Sequence, residues 1–257
     1  MKKQLSLLTL SALFALHISA TSAQDYLIPE ATPAHIVSGI HAADRTAEQV
    51  GRDPARRPAE MLTLSGIAPG DVVVEFAGAG QYYTGILSPA VGPNGAVHMF
   101  DLPYTEERNG EASRAFVAAH PNTTYTIVDY NDIVLPANVD VVMNMLYYHD
   151  LSLNAIDVAV LNRKIFAALK PGGVFIIEDH NAAPGSGRRD TMALHRIDPE
   201  LIKQEVLAAG FVLTAESNLL ANPDDDHTKM VFTPGTRGVT DRSVFVFEKP
   251  ESGVRTF

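Results

Sequence analysis

The sequence predicts a doubly wound α/β protein with a mostly parallel, seven-stranded sheet. Short apolar and β-branched runs, such as Val72 to Val74, alternate with helical patterns along most of the chain. Turn sequences such as Gly92-Pro93-Asn94-Gly95 separate these runs. Polar residues follow several of the apolar runs, at the positions where sheets of this class bind their ligands.

The first 23 residues are predicted to be a secretory signal peptide. Lys2 and Lys3 precede an apolar stretch from Leu5 to Ala20, and the small residues that follow offer a cleavage site after Ala23. The apolar stretch is too short to favour a permanent membrane span, and an uncleaved interfacial anchor is the alternative. Cleavage predicts a periplasmic or secreted protein that has no stable membrane span.

Residues 24–54 are predicted to form an irregular and helical lead-in, and residues 55–250 a single α/β domain. Asp53-Pro54 offers an N-cap and a first helical residue, so a helix is expected from Ala55 to Leu64. The other predicted helices are Tyr82–Leu87, ending near Pro89, then Glu106–Ala119, Asn154–Leu169 and Pro199–Ala209. The predicted strands are Val72–Phe76, Ala96–Phe100, Thr124–Val128, Val139–Met145 and Val174–Ile177, with Phe211–Glu216 and Ser243–Glu248 as a hairpin-like pair.

Composition limits the classes of function. The chain has 257 residues, of which 46% are hydrophobic, so it can form one sizeable core. Its formal net charge of −10 argues against a nucleic-acid-binding surface. Arg52, Arg56 and Arg57 form a small basic cluster that is expected on a solvated helix face. The absence of cysteine excludes disulfides, thiolate zinc sites and cysteine catalysis.

The stretch from Pro69 to Thr84 is the most informative segment. An apolar strand ends there at Glu75, and small residues follow before the next predicted helix. Small residues let a backbone approach a ligand closely, and a carboxylate accepts hydrogen bonds from a ligand hydroxyl or ammonium group. The stretch therefore predicts a ligand site at the end of the first strand.

This stretch, PGDVVVEFAGAGQYYT, resembles the first motif of the class I S-adenosylmethionine-dependent methyltransferases. LKPGGVFIIED (169–179) and EVLAAGFVL (205–213) resemble later segments of that family. NMLYYHDL and LHRIDPELIKQEVLAAGF are similar to a group of predicted bacterial methyltransferases with an N-terminal signal peptide. The resemblance covers roughly residues 55–249. It implies a Rossmann-like methyltransferase fold, S-adenosylmethionine as cofactor, and methyl transfer to an unidentified small molecule.

The resemblance also implies which residues bind the cofactor. Those implied for its methionine part are Glu75, Ala77, Gly78 and Gly80. Those implied for its adenosine part are Asp101, Leu102, Asp129 and Tyr130. An acid at the end of the second strand, here Asp101, holds ribose hydroxyls in dinucleotide-binding folds by the same chemistry.

Polar and aromatic residues after the fourth and fifth strands are predicted to form the substrate site. His149 is the expected general base, because an imidazole has an unperturbed pKa near neutrality. The predicted catalytic residues are His149, His180 and Tyr147. The residues predicted to contact the substrate are Tyr83, Tyr148, Asp179 and His195.

Two alternatives stay open. The positions that usually hold glycine in the first motif are Ala77, Ala79 and Gln81, which is compatible with a small-molecule-binding module that does not transfer methyl groups. A pocket plugged by Gln81 or Tyr82 would favour that module. The histidines and carboxylates could instead hold a metal, although their spacing matches no compact metal motif and no metal ligands are predicted. Three such groups within metal-bonding distance would favour a metal-assisted enzyme.

Overall fold

A computed structural model describes residues 26–78 and 80–251. The predicted signal peptide, with its cleavage site, and Ala79 lie outside the described residues. The α-helices in the described part are α1 (Ala34–Ile40), α2 (Ala47–Val50), α3 (Asp53–Arg56), α4 (Pro58–Ser65), α5 (Tyr82–Val91), α6 (Glu106–Ala119), α7 (Val158–Ala168), α8 (Thr191–Leu194) and α9 (Pro199–Ala208). The strands are β1 (Val72–Phe76), β2 (Ala96–Asp101), β3 (Thr123–Ile127), β4 (Val139–Met145), β5 (Leu169–His180), β6 (Val212–Ser217) and β7 (Arg242–Glu248).

The strands form one seven-stranded sheet in the order β3-β2-β1-β4-β5-β7-β6. The first five strands in this order are parallel, whereas β7 runs antiparallel to both β5 and β6. The predicted seven-stranded, mostly parallel sheet is therefore confirmed. Strand order reverses between β1 and β4, and this switch point is where open α/β sheets bind ligands.

Helices cover both faces of the sheet. Val73 of β1 packs with α1, α4 and α5 in one core, whereas its neighbour Val74 packs with α7 and α9 in the other. Successive side chains of a strand point to opposite faces, so a strand covered on both sides is apolar at consecutive positions. None of the described helices combines the length and the hydrophobicity that a membrane-spanning helix needs.

Three elements, β1, α6 and β4, have the predicted bounds, but the predicted helix Ala55–Leu64 is divided. α3 ends at Arg56, α4 begins at Pro58, and Arg57 between them has a left-handed backbone with φ of 45°. Because proline disfavours the helical conformation in the residue before it, the chain changes direction at Arg57.

The predicted end of α5 near Pro89 is also wrong, because the helix continues to Val91. A proline inside a helix costs about 3 kcal/mol through a lost hydrogen bond and a steric clash. Every other residue of α5 is buried, and Pro89 occupies the exposed position. Packing on the remaining surface of the helix therefore outweighs the local cost of the proline.

The predicted start of α7 at Asn154 is too early. The helix begins at Val158, where the Asp157 carboxylate accepts a hydrogen bond of 2.9 Å from the Val160 amide. Ala155 adopts a left-handed conformation with φ of 56°, which is incompatible with a helix at that point. An N-capping carboxylate satisfies a backbone donor that the first turn leaves free, so it fixes where the helix begins.

A buried ion pair joins the N-terminal helices to α5. Arg45 Nη1 donates to Asp53 Oδ2 at 3.0 Å, and the Tyr82 hydroxyl donates to Asp53 Oδ1 at 2.7 Å. Both members of the ion pair are buried. Removing one partner of such a pair leaves an uncompensated charge out of contact with water. Asp53 therefore holds the segment that precedes β1 against the first turn of α5.

We expect Asp53→Ala to lower the free energy of unfolding by about 3–5 kcal/mol, because it leaves the buried Arg45 guanidinium without its charged partner. The matched control is Arg114→Ala, which removes the exposed ion pair with Glu106 and should lower stability far less, because solvent screens exposed charges. Urea denaturation followed by circular dichroism measures both. Equal losses in the two variants would show that the buried network does not anchor the N-terminal helices.

Candidate active site at the carboxyl edge of the sheet

Glu75 lies near the carboxyl end of β1 with its side chain buried. The Thr84 hydroxyl, from the first turn of α5, donates a hydrogen bond to Glu75 Oε2. Burial and the neighbouring charge of Asp101 raise the pKa of Glu75 to about 7, although the Thr84 hydrogen bond opposes this rise. A buried carboxylate with such a pKa is ready to ionise when a cationic group binds beside it.

The loop after β1 is held in place by backbone and tyrosine hydrogen bonds. The Ala77 amide donates to the Phe100 carbonyl at 2.9 Å and lies 3.2 Å from the Tyr130 hydroxyl. That hydroxyl itself donates to the Phe100 carbonyl at 2.6 Å. Ala77 has φ of 54°, which is the left-handed region that favours glycine. The hydrogen bonds to β2 therefore hold Ala77 in a backbone conformation that costs an alanine about 1–2 kcal/mol.

The backbone at Gly78 packs closely against Glu75 and Met99. A Cβ atom at Gly78 would lie 3.1 Å from Met99 Cγ and 3.3 Å from Glu75 Cδ, which is tighter than ordinary van der Waals contact. The Gln81 side chain turns to α6, where its Nε2 donates to Ser113 Oγ at 2.8 Å. Gln81 therefore does not plug the site. Tyr82 lines the smaller cavity there, with its hydroxyl turned to Asp53.

The residues implied for the adenosine part lie along the carboxyl ends of β2 and β3. Asp101 is the last residue of β2, and it is fully buried together with Leu102 beside it. The Tyr130 ring packs edge-on against Phe76 at 5.0 Å between centroids, in addition to its hydroxyl contacts. Asp129 is exposed, and its Oδ1 accepts the Asn131 amide in a local turn. Cofactor contacts of these four residues stay predictions.

Two adjoining cavities open at this edge of the sheet. The smaller has a volume of about 50 Å³ and is lined by Glu75, Ala77, Gly78, Tyr82, Tyr83, Phe76, Met145, Arg52 and Arg56. The larger has a volume of about 460 Å³. They share Arg52, Arg56, Ala77 and Met145, so a ligand that bridges both would pass between these side chains.

The larger cavity brings together the three predicted catalytic residues, Tyr147, His149 and His180. The residues predicted to contact substrate are distributed differently. Tyr83 lines the smaller cavity, and Asp179 lies behind His149. Tyr148 is fully buried, and its hydroxyl contacts Asn162 and Glu205 away from the cavity.

Asp179 organises the histidines. Its Oδ1 lies 2.7 Å from His149 Nδ1, and its two oxygens accept the backbone amides of His149 and His180. Burial opposes the charged form of His149, but the Asp179 carboxylate outweighs burial and raises the pKa of His149. Burial lowers the pKa of His180 to about 3, so its imidazole is neutral at physiological pH. Asp179 thus fixes the orientation of one imidazole while its neighbour stays uncharged.

Four arginines line the larger cavity, and sequence reasoning did not identify any of them as site residues. The expectation that Arg52 and Arg56 lie on a solvated face is wrong: both are half-buried and lie over the Tyr82 ring. Burial and the nearby charges of Arg56 and Arg237 lower the pKa of Arg52. The fourth, Arg242, pairs with the buried Glu178 at 2.7 Å.

One sequence pattern could have identified two of these arginines. Arg52 and Arg56 are four residues apart, and residues with that spacing lie on one face of a helix. Arg237 and Phe232, which also line the larger cavity, come from the long connection between β6 and β7. No local pattern links that connection to the region before β1. Only the fold brings these segments together.

The raised pKa of Glu75 predicts a pH-dependent stability. Between pH 4.5 and about 7 the folded protein keeps a proton that the unfolded chain has released, so Glu75 lowers stability as pH rises. We expect Glu75→Gln to remove this decline, which amounts to roughly 3 kcal/mol at most. Urea denaturation at pH 5, 6, 7 and 8 measures it.

Thr84→Val is the companion variant for this test. It removes the hydroxyl that stabilises the ionised Glu75, so the decline in stability should extend to higher pH than in the unaltered protein. Stability curves for Glu75→Gln that run parallel to those of the unaltered protein at every pH would contradict the assignment.

No protein-family model and no curated protein matches the chain. Solved structures do match it. A SAM-dependent methyltransferase from Aquifex aeolicus is 18% identical with a TM-score of 0.55, over 82% of this chain and 97% of that chain. An S-adenosylmethionine-dependent methyltransferase from Mesorhizobium loti is 17% identical with a TM-score of 0.56, over 77% and 99%.

The [4+2]-cyclase SpnF is similar to the same degree, at 15% identity and a TM-score of 0.57 over 81% of this chain and 85% of that chain. Sequence identities this low show the fold alone. Taken with the strand order and the antiparallel β7, they show that the chain has the Rossmann-like fold of the class I S-adenosylmethionine-dependent methyltransferases.

Proposed function

We propose that this protein transfers a methyl group from S-adenosylmethionine to a small-molecule acceptor. The observation that carries the proposal is the pair of buried acids, Glu75 and Asp101, at the carboxyl ends of adjacent strands beside the switch point. The two carboxylates are close enough that the charge of Asp101 helps to raise the pKa of Glu75. Two neighbouring buried acids repel each other when both are ionised, and a ligand with a cationic and a hydroxyl-bearing part would use both.

The side chains at this edge suit the parts of S-adenosylmethionine. Glu75 would accept from the ammonium group of the methionine part, and the backbone at Ala77 to Gly80 would approach it closely. Asp101 would accept from the ribose hydroxyls. The Arg52 and Arg56 guanidinium groups would face the α-carboxylate. When bound, the cofactor supplies an electrophilic methyl group on a sulfonium sulfur.

The smaller cavity is narrow, at about 50 Å³, so we expect side chains to rearrange when the methionine part of the cofactor binds. Arg52 and Arg56 line this cavity and lie over the Tyr82 ring at 5.0 and 4.8 Å from its centroid. Long arginine side chains move more easily than the β1 loop, which is tied to β2 through Ala77. We therefore place the rearrangement in the two arginines.

The larger cavity would hold the acceptor. Its volume of about 460 Å³ lies in the range of small-molecule sites. Tyr147, His149 and His180 would position the acceptor, and His149, oriented by Asp179, would take a proton from an oxygen or nitrogen nucleophile. Most of the acceleration would come from holding the two reactants in line. The net charge of −10 favours a small molecule over a nucleic acid as the acceptor.

We also propose that the protein is exported to the periplasm or secreted, since Lys2, Lys3 and the apolar stretch that follows have the pattern of a cleavable signal. Intact-mass measurement of protein from the cell envelope tests this. A mass that begins at Gln24 is expected, and the full-length mass in the soluble cytoplasmic fraction would contradict export.

Calorimetric titration with S-adenosylmethionine and S-adenosylhomocysteine tests cofactor binding. We expect micromolar affinity, weakened at least about tenfold by Glu75→Gln or by Asp101→Asn, because each removes a charge-assisted hydrogen bond. The matched control is Asp140→Asn, an acid of β4 whose carboxylate bonds the Val72 amide and Lys170. That variant should bind normally.

The pH dependence of cofactor affinity provides a second test in the same titration. Since Glu75 must ionise to bind an ammonium group, affinity should rise about tenfold between pH 6 and pH 8, and Glu75→Gln should show no such rise. A folded protein that binds neither compound would overturn the proposal and favour the binding-module alternative. The fold by itself does not require methyl transfer, since one similar structure is a [4+2]-cyclase.

A further inference from the structure

We propose that His149, Asp150 and His195 bind one divalent transition-metal ion of the zinc type. One ligand atom from each residue lies within 4.8 Å of the other two. Asp150 Oδ1 is 3.2 Å from His149 Nε2 and 3.3 Å from His195 Nδ1. Three such groups within metal-bonding distance are the arrangement that the sequence analysis required of a metal-assisted enzyme.

The three residues come from two separate parts of the chain. His149 and Asp150 belong to a short 3-10 helix after β4, and His195 follows α8. His195 has a left-handed backbone with φ of 53°, a conformation that is uncommon for a residue other than glycine. Strained residues of this kind cluster at functional sites, because the surrounding structure must hold them there.

Asp179 supplies a second feature of a metal site. It lies 2.7 Å from His149 Nδ1, so that carboxylate accepts a proton carried on Nδ1, and Nε2 is the ring nitrogen that faces Asp150. Metal-bound histidines almost always donate their other ring nitrogen in this way, most often to a carboxylate or a carbonyl. Asp179 is itself fixed by two backbone amides, which makes the orientation of His149 rigid.

The ligand set selects the class of metal. Two imidazoles and one carboxylate suit zinc, iron and manganese, whereas magnesium and calcium prefer oxygen ligands throughout. Three protein ligands leave at least one coordination position for another group. His149 and Asp150 both line the larger cavity, so that position faces the proposed acceptor site.

The inference does not rest on the proposed methyl transfer, but it bears on the role of His149. Its Nε2 atom can coordinate a metal or accept a proton from the acceptor, and it cannot do both at once. With a metal bound, His149 is a ligand, so the general-base role proposed for it applies to the metal-free protein.

Zinc titration of the purified protein, in competition with a chromophoric chelator and without S-adenosylmethionine, tests the site. We expect one Zn²⁺ per chain, no competition by excess Mg²⁺, and a higher unfolding temperature with zinc. Asp179→Asn should weaken binding about 10–100-fold, and His195→Asn or Asp150→Asn at least as strongly. Asparagine tolerates the left-handed backbone at position 195, so His195→Asn should stay folded.

The matched control is His41→Asn, which removes an exposed histidine outside the site and should leave zinc binding unchanged. Failure to bind zinc stoichiometrically would overturn the inference. Binding that survives His195→Asn and Asp150→Asn, or that His41→Asn reduces equally, would also overturn it by placing the ion elsewhere. Because no cofactor is present, a negative result leaves the cofactor-binding test unaffected.

Discussion

Parallel strand pairing is the constraint on which the candidate site depends. β1 pairs with β2 and β4, and β4 with β5, so the four strands end at one edge of the sheet. In this register Phe76 lies opposite Asn144, and Met145 lies opposite Glu178. Polar residues that follow four separate apolar runs are thereby collected over a single edge, which connecting helices leave open to ligands.

The cost of this arrangement is a concentration of buried charge. Glu178 and Asp179 of β5 are both buried, and each has a cationic or hydrogen-bonding partner, Arg242 in one case and His149 in the other. Buried charges of this kind survive only when their partners are well placed. The partners come from β7 and from the segment after β4, so the site and the sheet stabilise each other.

The same edge carries two kinds of chemistry side by side. The acids at the ends of β1 and β2 suit a cationic, hydroxyl-bearing ligand, whereas the imidazoles beyond β4 and β5 suit a metal or a proton acceptor. Arg52 and Arg56 stand between the two cavities and line both. Because these arginines precede β1, the N-terminal helices are part of the site. The buried pair of Arg45 with Asp53 lies among the same helices and ties them to Tyr82 of α5.

The sequence by itself determined the fold class, the sheet edge and the acids at the ends of β1 and β2. These follow from local patterns: apolar runs define buried strands, and the residue after such a run lies at the carboxyl edge. It also placed Tyr147, His149 and His180 near the carboxyl ends of β4 and β5, and these three do line one cavity. The predicted ends of some helices were wrong where tertiary packing outweighed a local sequence signal. For example, α5 continues past Pro89, a residue that usually ends a helix.

Only the tertiary structure decided which of these residues meet. His195 is 45 residues from Asp150, and the two come into contact because α8 packs beside the segment after β4. Tyr148, next to His149 in sequence, points instead into the core toward Asn162. Sequence patterns fix a residue's place along an element, since that depends on near neighbours. Contacts between distant segments depend on how the elements pack, and no local pattern encodes that.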